Sequence, residues 1–579
     1  MWDLNFKQIT IIAALVIVVG LPFFFRIAPE HTAWAPGDPV LIIISPHNEA
    51  IRHEFGRAFS AWHTVHYGSP VKIDWRVIGG TSDIIRYIEG AMLQSFRAWW
   101  GAQGGQWPAG AQEMVFDLRF DPAQADQTQR TIWEAMRATD DPGAVSCGID
   151  LLFGGGTYDH DIVARKGLTV MPWPPDEVPE GLFYDEQGRE LIPRTLSGEI
   201  WRNDYFIGVC LSTFGICYNP DRVAGLGLQP PARWSDLADI RYAGLLGVAD
   251  PTKSGSIAKA FEMLIHEQCH AAVRAAGFSL DDSRRFEALP AALPSGAVWP
   301  EELPLQYRQA LEQGWLNGLF LVQKIGANAR YFTDGAGQVP MDVSMGNAAA
   351  GIAIDFYGRF QSEFSQLRDG SRTLKYITPL GGSSVSADPI SLLRGAPSRE
   401  LALRFISFVL STEGQALWTY RPGTPGGPER YALRRLPIRR DFYPQSWPDA
   451  EAVRHLEYAG DPLDDRLVDP YAIAAEFEYF PRWTARHFAV HRDLIRAMCI
   501  DSGNELRALW AAVQRAGGPE KCAEVMAYIE VMPDVPEPVN WSTVRDITRR
   551  YERLEYMNAW TQFYRDRYRV AREMLQGRP

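Results

Sequence analysis

The stretch WRNDYFIGVCLSTFGICYN, residues 201–219, holds two apolar runs separated by only Ser212 and Thr213. Runs this short and this apolar read as buried strands. Together they read as a hinge, with one strand finishing an α/β unit and the next opening another.

The sequence on either side supports two such units. Upstream, VLIIIS (residues 40–45) is a strand. It precedes a helical pattern over 49–63, with Ile51, Phe55, Phe59 and Trp62 on one face. VKIDWRVIGG (71–80) repeats the strand, and Thr81 and Ser82 stand where a helix over 83–92 would be capped. Strand and helix alternating in this way predict a parallel α/β sheet. Residues 93–146 break the rhythm and read as an insertion, after which GIDLLFGGG (148–156) resumes the sheet.

Downstream of the hinge, ADPTKSGSIAKAFEML (249–264) is a strand-to-helix turn. Its Gly and Ser residues offer backbone N–H groups and hydroxyls at a helix N-terminus, where an anion is favoured. A plain N-cap formed by Ser254 or Ser256 is the simpler reading of the same residues. It is not a phosphate loop of the G-K-[ST] kind. VSADPISLL (385–393) reads as a return to the first unit. The expected organisation is a 1–35 anchor, a first lobe over 36–211 and a second over 212–380. A return to the first lobe over 381–440 and a helical extension over 441–579 follow. In that extension 541–575 reads as one long helix, striped by Val544, Ile547, Tyr551, Leu554, Met557, Trp560, Tyr564 and Tyr568.

The chain has 579 residues and a net charge of −12, which argues against a nucleic-acid partner. Its six cysteines form no C-x-x-C pair, so a zinc ribbon is not expected. Cys499 and Cys522 are the pair that would bridge C-terminal helices. Residues 9–25 carry no charge, and as a helix they span about 25 Å. They read as an uncleaved signal anchor in preference to a cleaved signal, because Pro36 follows the AWA at 33–35. The rest of the chain is then expected on the periplasmic or extracytoplasmic side of the inner membrane.

Polar residues gather just after the strands, at 45–48, 79–82, 154–157, 250–256 and 355–357. Ligands of open α/β sheets bind outside the carboxyl ends of strands. SPHNE (45–49), FGGG (153–156), LSTFGICYN (211–219), ADPTKSGS (249–256), GANARYFTDG (326–335), AIDFYGRF (353–360) and VSADPISLLRGAP (385–397) together resemble the periplasmic solute-binding proteins of ABC importers. The nearest branch is the ferric-ion-binding-like, type II group, which includes thiamine, phosphonate and sugar-phosphate binders. The resemblance covers about residues 40–418 without the insertion. It implies a two-lobed α/β Venus-flytrap fold, with an N-terminal transmembrane helix and a helical C-terminal extension outside it. It also implies a non-catalytic protein that hands a small anionic or metal-containing solute to an ABC permease.

His47, which the resemblance matches to a ligand residue, and the strand-end residues Asn48, Thr81, Ser82 and Thr157 are expected to meet the solute from the first lobe. From the second lobe the resemblance adds Ser254, Gly255, Ser256, Asn328 and Tyr357, and Arg330 is expected beside them. No cofactor is implied, and Fe3+ enters only as a transported ligand. Ferric-binding relatives use a histidine, a first-lobe carboxylate and two adjacent tyrosines. His47 and Tyr357 match, but Phe356 replaces one tyrosine and Gly154, Gly155 and Gly156 fall at the carboxylate position. Asp159, Asp161 and Asp355 are the carboxylates that would substitute. Two other readings stand beside this one. HEQCH (266–270) satisfies the H-E-x-x-H pattern of a membrane-anchored zinc peptidase, with Glu287 as a third ligand. The simpler reading of HEQCH is a solvated helical face. Alternatively, the C-terminal helices dock a partner and the protein is a solute-responsive sensor or scaffold.

Overall fold

The computed structural model describes residues 34–289, 299–300, 302–460 and 469–576. The expected anchor at 9–25 lies outside them. Among the described residues no helix is long and apolar enough to cross a membrane.

Two sheets form the frame. The first has seven strands: β14 (Leu436–Pro437), β7 (Ile207–Ser212), β13 (Ser386–Leu393), β3 (Leu151–Phe153), β1 (Val40–Ile44) and β2 (Lys72–Arg76) in order, with β4 (Thr169–Val170) also on β13. β1 runs parallel to β2 and β3, whereas β13 is antiparallel to β3 and β7. All eight residues of β13 are buried, as a central strand covered on both faces requires. The second sheet is ordered β10 (Ala329–Thr333), β9 (Leu246–Ala249), β11 (Ala350–Ile354), β8 (Phe214–Tyr218), β12 (Lys375–Ile377). β5 (Thr195–Leu196) and β6 (Glu199–Ile200) form a separate hairpin.

The chain crosses from the first sheet to the second at Thr213, the single residue between β7 and β8. It crosses back between β12 and β13. The two crossings are tied together. Thr213 and Thr378 share a hydroxyl hydrogen bond of 2.9 Å, and Phe214 N donates to Ser383 Oγ at 2.9 Å. Separate buried cores lie around the two sheets, and the half-buried Tyr357 packs against both.

Three expectations about elements are corrected. The second helix is Thr81–Ala102, about ten residues longer than expected, because Phe96, Trp99 and Trp100 continue its apolar side into a core made with the insertion. The C-terminal helix is broken into Val544–Arg550 and Arg553–Gln576. Tyr551 is extended at the break, with its hydroxyl on Glu537 Oε1 at 2.9 Å. Leu554, assigned to the buried stripe, is therefore 74% exposed. Cys499 and Cys522 are both buried free thiols, each sealed separately in the core.

Candidate functional site

His47 follows β1 and is buried, with its backbone N–H on Ser45 Oγ at 3.0 Å. Its Nε2 lies 3.2 Å from Asp388 Oδ2, and Asp388 also accepts from Arg435 Nη1. Arg435 Nη2 donates to Ser212 Oγ at 2.6 Å, at the end of the crossing strand. The guanidinium lies 5.2 Å from the Phe356 ring centre and 5.4 Å from that of Trp418. Burial alone would raise the Asp388 carboxyl, but Arg435 and then His47 hold it well below the usual carboxylate range. A side chain at Gly154 would put its Cβ 2.5 Å from His47 Nε2, and Gly154 has φ +96°. Glycine is required here on both counts.

The 79–82 and 154–157 loops meet. A Cβ on Gly155 (φ +112°) would stand 2.7 Å from Thr81 Cγ2. Thr81 hydrogen-bonds the Asp159 carboxyl, which burial pushes upward. Thr157 opens the helix Thr157–Arg165 and Thr81 opens the helix Thr81–Ala102, so both sit at positive helix ends. Ser82 is exposed beside Thr81. Asn48 uses its side chain as an N-cap, accepting from Ile51 N at 3.1 Å. Asp161 pairs with Arg165 at 3.7 Å on its own helix.

In the second lobe, Asp250 builds the turn after β9. Its Oδ1 accepts from Thr252 N at 2.8 Å and Thr252 Oγ1 at 2.6 Å, and its carbonyl accepts from Ser254 N at 2.9 Å. Ser254 caps the helix Gly255–Ala275 through Ile257 N, and its Oγ lies 3.2 Å from that of Ser256. A Cβ on Gly255 would meet no atom within 4 Å, so packing does not demand glycine there. Lys253 pairs with Asp334 at 2.6 Å. Tyr357 lies in the first turn after β11, against Gly337. Asp355 is wholly buried and pushed up to about 6 by desolvation.

Asn328 and Arg330 are not brought to these loops. They sit at the amino end of β10, whose other end, Thr333, accepts the Asp250 N–H at 2.8 Å. Asn328 is fully buried. Its Nδ2 donates to the Leu237 and Asp239 carbonyls at 2.9 Å each, and its Oδ1 accepts from Trp510 Nε1 at 2.7 Å. Arg330 donates to Asn347 O at 2.6 Å. The motif GANARYFTDG is thus the end of a helix and a strand, and only its Thr333-Asp334 end reaches the carboxyl side of the sheet.

HEQCH is not a solvated face. His266 is 0% and His270 7% exposed. Both lie under residues 477–483 of the extension, with ring centres within 5.3 Å of Phe477. His266 Nε2 lies 3.2 Å from both Phe480 N and Glu478 O, and its Nδ1 lies 3.1 Å from Thr484 Oγ1. Thr484 Oγ1 in turn donates to Glu262 Oε1 at 2.9 Å. His270 Nε2 donates to Glu478 O at 2.7 Å. Glu287 is held by Trp483, Tyr307 and Arg482. The histidine nitrogens a zinc ion would need are therefore engaged with the extension. Among the described residues no group of three or more His, Cys, Asp or Glu is placed to hold a metal ion.

Sequence reasoning missed Asp388 and Arg435, and also Arg492 and Arg496 of the extension, which reach the 250–252 backbone and side chains.

Residues 178–454 match the family model for bacterial extracellular solute-binding proteins. An uncharacterized protein of Haemophilus influenzae is 20% identical over 264 residues, 45% of this chain, and the match spans 59% of that relative. Solved structures with a likeness include the fructose-6-phosphate-bound periplasmic binding protein AfuA of Actinobacillus pleuropneumoniae. It is 14% identical, with coverage of 78% of this chain and 98% of that one at TM-score 0.43. The apo ferric ion-binding protein A of Pasteurella haemolytica is 11% identical, with coverage of 75% and 94% at TM-score 0.36. The spermidine/putrescine ABC transporter substrate-binding protein PotD of Streptococcus pneumoniae is 14% identical, with coverage of 79% and 99% at TM-score 0.41. The residues that resemble the bacterial extracellular solute-binding proteins hold both crossings between the sheets and the whole second sheet.

Proposed function

We propose that this protein is the extracytoplasmic binding component of an ABC importer and that it captures a small anionic solute between its lobes, without catalysis. Residues 9–25 anchor it to the membrane, and closure occurs about Ser212 and Thr213. The first-lobe contacts are Thr81, Ser82 and Thr157; the second-lobe contacts are Ser254, Gly255, Ser256 and Tyr357.

One observation carries the choice of an anion over ferric ion. The groups that would bind a hard cation are already spent on a buried ion pair. His47 Nε2 faces Asp388, and Asp388 is neutralised by Arg435. Fe(III) wants anionic oxygen ligands, whereas Phe356 and the glycines at 154–156 offer none. The same surroundings suit a negative group. Helices from both lobes have their N-termini on this side.

Native mass spectrometry of protein purified without added ligand tests this, followed by calorimetry with inorganic phosphate, glucose 6-phosphate and ferric citrate. The expected result is a bound anion and affinity for one of the phosphates. A stoichiometric iron with the visible absorption of a tyrosine-ligated ferric centre would overturn the anion reading.

A further inference from the structure

We infer that the C-terminal extension is a working part of the cleft, in which Arg492, assisted by Arg496, is the positioning residue that sets the shape of the 250–256 turn. This rests on the reading of that turn as a solute contact.

The geometry is specific. Arg492 lies on the helix Phe488–Ile495, and its Nε donates to Pro251 O at 2.7 Å while its Nη2 donates to Thr252 O at 2.7 Å. Two successive carbonyls are thus held by one planar fork, a task a lysine ammonium cannot copy. One helical turn on, Arg496 Nη1 reaches Asp250 Oδ2 at 3.3 Å and Thr252 Oγ1 at 3.2 Å. On the inner side the Asp250 carboxylate and carbonyl hold the N–H groups of Thr252, Lys253 and Ser254. The peptide planes leading into Ser254 are therefore fixed from both sides, one of them supplied entirely by the extension. Carbonyl oxygens satisfy the Arg492 N–H groups without cancelling its charge. That charge stays beside a helix N-terminus, where it adds to the attraction for an anion.

The same helix edge touches the first lobe. Phe488, four residues before Arg492, packs on Tyr158 with ring centres 5.0 Å apart. Tyr158 directly follows Thr157, and Arg492 also acts electrostatically on Asp159, the partner of Thr81. One helix therefore contacts a proposed solute loop of each lobe.

The test uses the full chain. Arg492→Ala, Arg492→Lys and the control Arg284→Ala, which removes an ion pair to Glu478 elsewhere on the extension, are compared with the parent. Amide hydrogen exchange at residues 252–256, affinity for inorganic phosphate and glucose 6-phosphate, and thermal midpoint are measured. Arg492→Ala is expected to speed exchange at 252–256 at least tenfold and to weaken the phosphate ligand at least tenfold. Arg492→Lys is expected to fall between it and the parent, and Arg284→Ala to leave both readouts alone. Parental affinity in Arg492→Ala, or a loss matched by Arg284→Ala, would overturn the inference while leaving the anion reading intact. If the parent binds neither phosphate, the anion reading fails and exchange alone decides. Selective loosening of 252–256 then supports the positioning role, and unchanged exchange overturns it.

Discussion

Arg435 is 3% exposed and shares Asp388 with His47, so it cannot be removed without leaving a buried charge unpaired. Breaking one side of such a pair costs about 3–5 kcal/mol, whereas replacing both partners costs much less. Arg435→Gln is therefore expected to lose about 3–5 kcal/mol in a urea titration. The double variant Asp388→Asn, Arg435→Gln is expected to recover most of that loss. Equal losses in both would mean that the pair is not the stabilising unit. Gly154→Ala tests the other side of His47: a Cβ there collides with the imidazole and strains a φ of +96°. His47, Thr81 and the glycines at 154–156 were legible because strand ends identify themselves. Arg435 was not. It lies among Arg434, Arg439 and Arg440, and no local pattern distinguishes the one that meets Asp388 and a residue 388 positions earlier.

The helix Gly255–Ala275 shows what a single element conceals. Its apolar residues were readable, but the partner of its polar side lies about 210 residues away in 478–484. Polar histidines with no visible partner look solvated. Here His266, His270, His487 and His491 are all buried and neutral. Desolvation pushes His270 and His491 down to about 4 and the other two well below their ordinary value, and His270 and Lys259 lower His266 further. In the unfolded chain each would take up a proton near pH 6.5. Below that pH the unfolded state binds more protons, so stability that is complete above 6.5 is lost progressively toward 4. Each such group contributes a slope of about 1.4 kcal/mol per pH unit. The thermal midpoint is expected to fall steeply between pH 7 and 5, and His270→Gln is expected to flatten the fall. A midpoint constant over that range would show that these rings are protonated in the folded protein.

At the scale of the whole molecule, the sequence marked 441–579 as an appendage, because its composition changes and its stripe looks like a docking face. The stripe does dock, but onto the second lobe's own core. Residues from Phe477 to Ala571 belong to the same buried cluster as β8, β9 and β11. The polar contacts cross the boundary too. Trp315 Nε1 donates to His491 Nε2 at 2.7 Å, Trp510 Nε1 to Asn328 Oδ1 at 2.7 Å, and Gln323 Nε2 to the Tyr568 hydroxyl at 2.8 Å. Removing 441–579 would leave Trp315, Asn328 and Gln323 short of partners inside a core, and each such group costs about 1–3 kcal/mol. It would also bare apolar residues on the sides of the helices Gly255–Ala275 and Leu305–Asn328 that the extension covers. Those losses together are comparable to the 5–15 kcal/mol that holds a typical domain folded. A chain ending at residue 440 is therefore expected to aggregate or to lose the second lobe's cooperative unfolding, and co-expression of 441–579 as a separate piece is expected to rescue it. The measurements are sedimentation velocity and the near-ultraviolet circular dichroism of the buried tryptophans. A soluble monomer of residues 34–440 that unfolds cooperatively at the parental midpoint would show that the extension is dispensable to the fold. Its contacts with the 250–256 turn would then remain a structural reason to keep it.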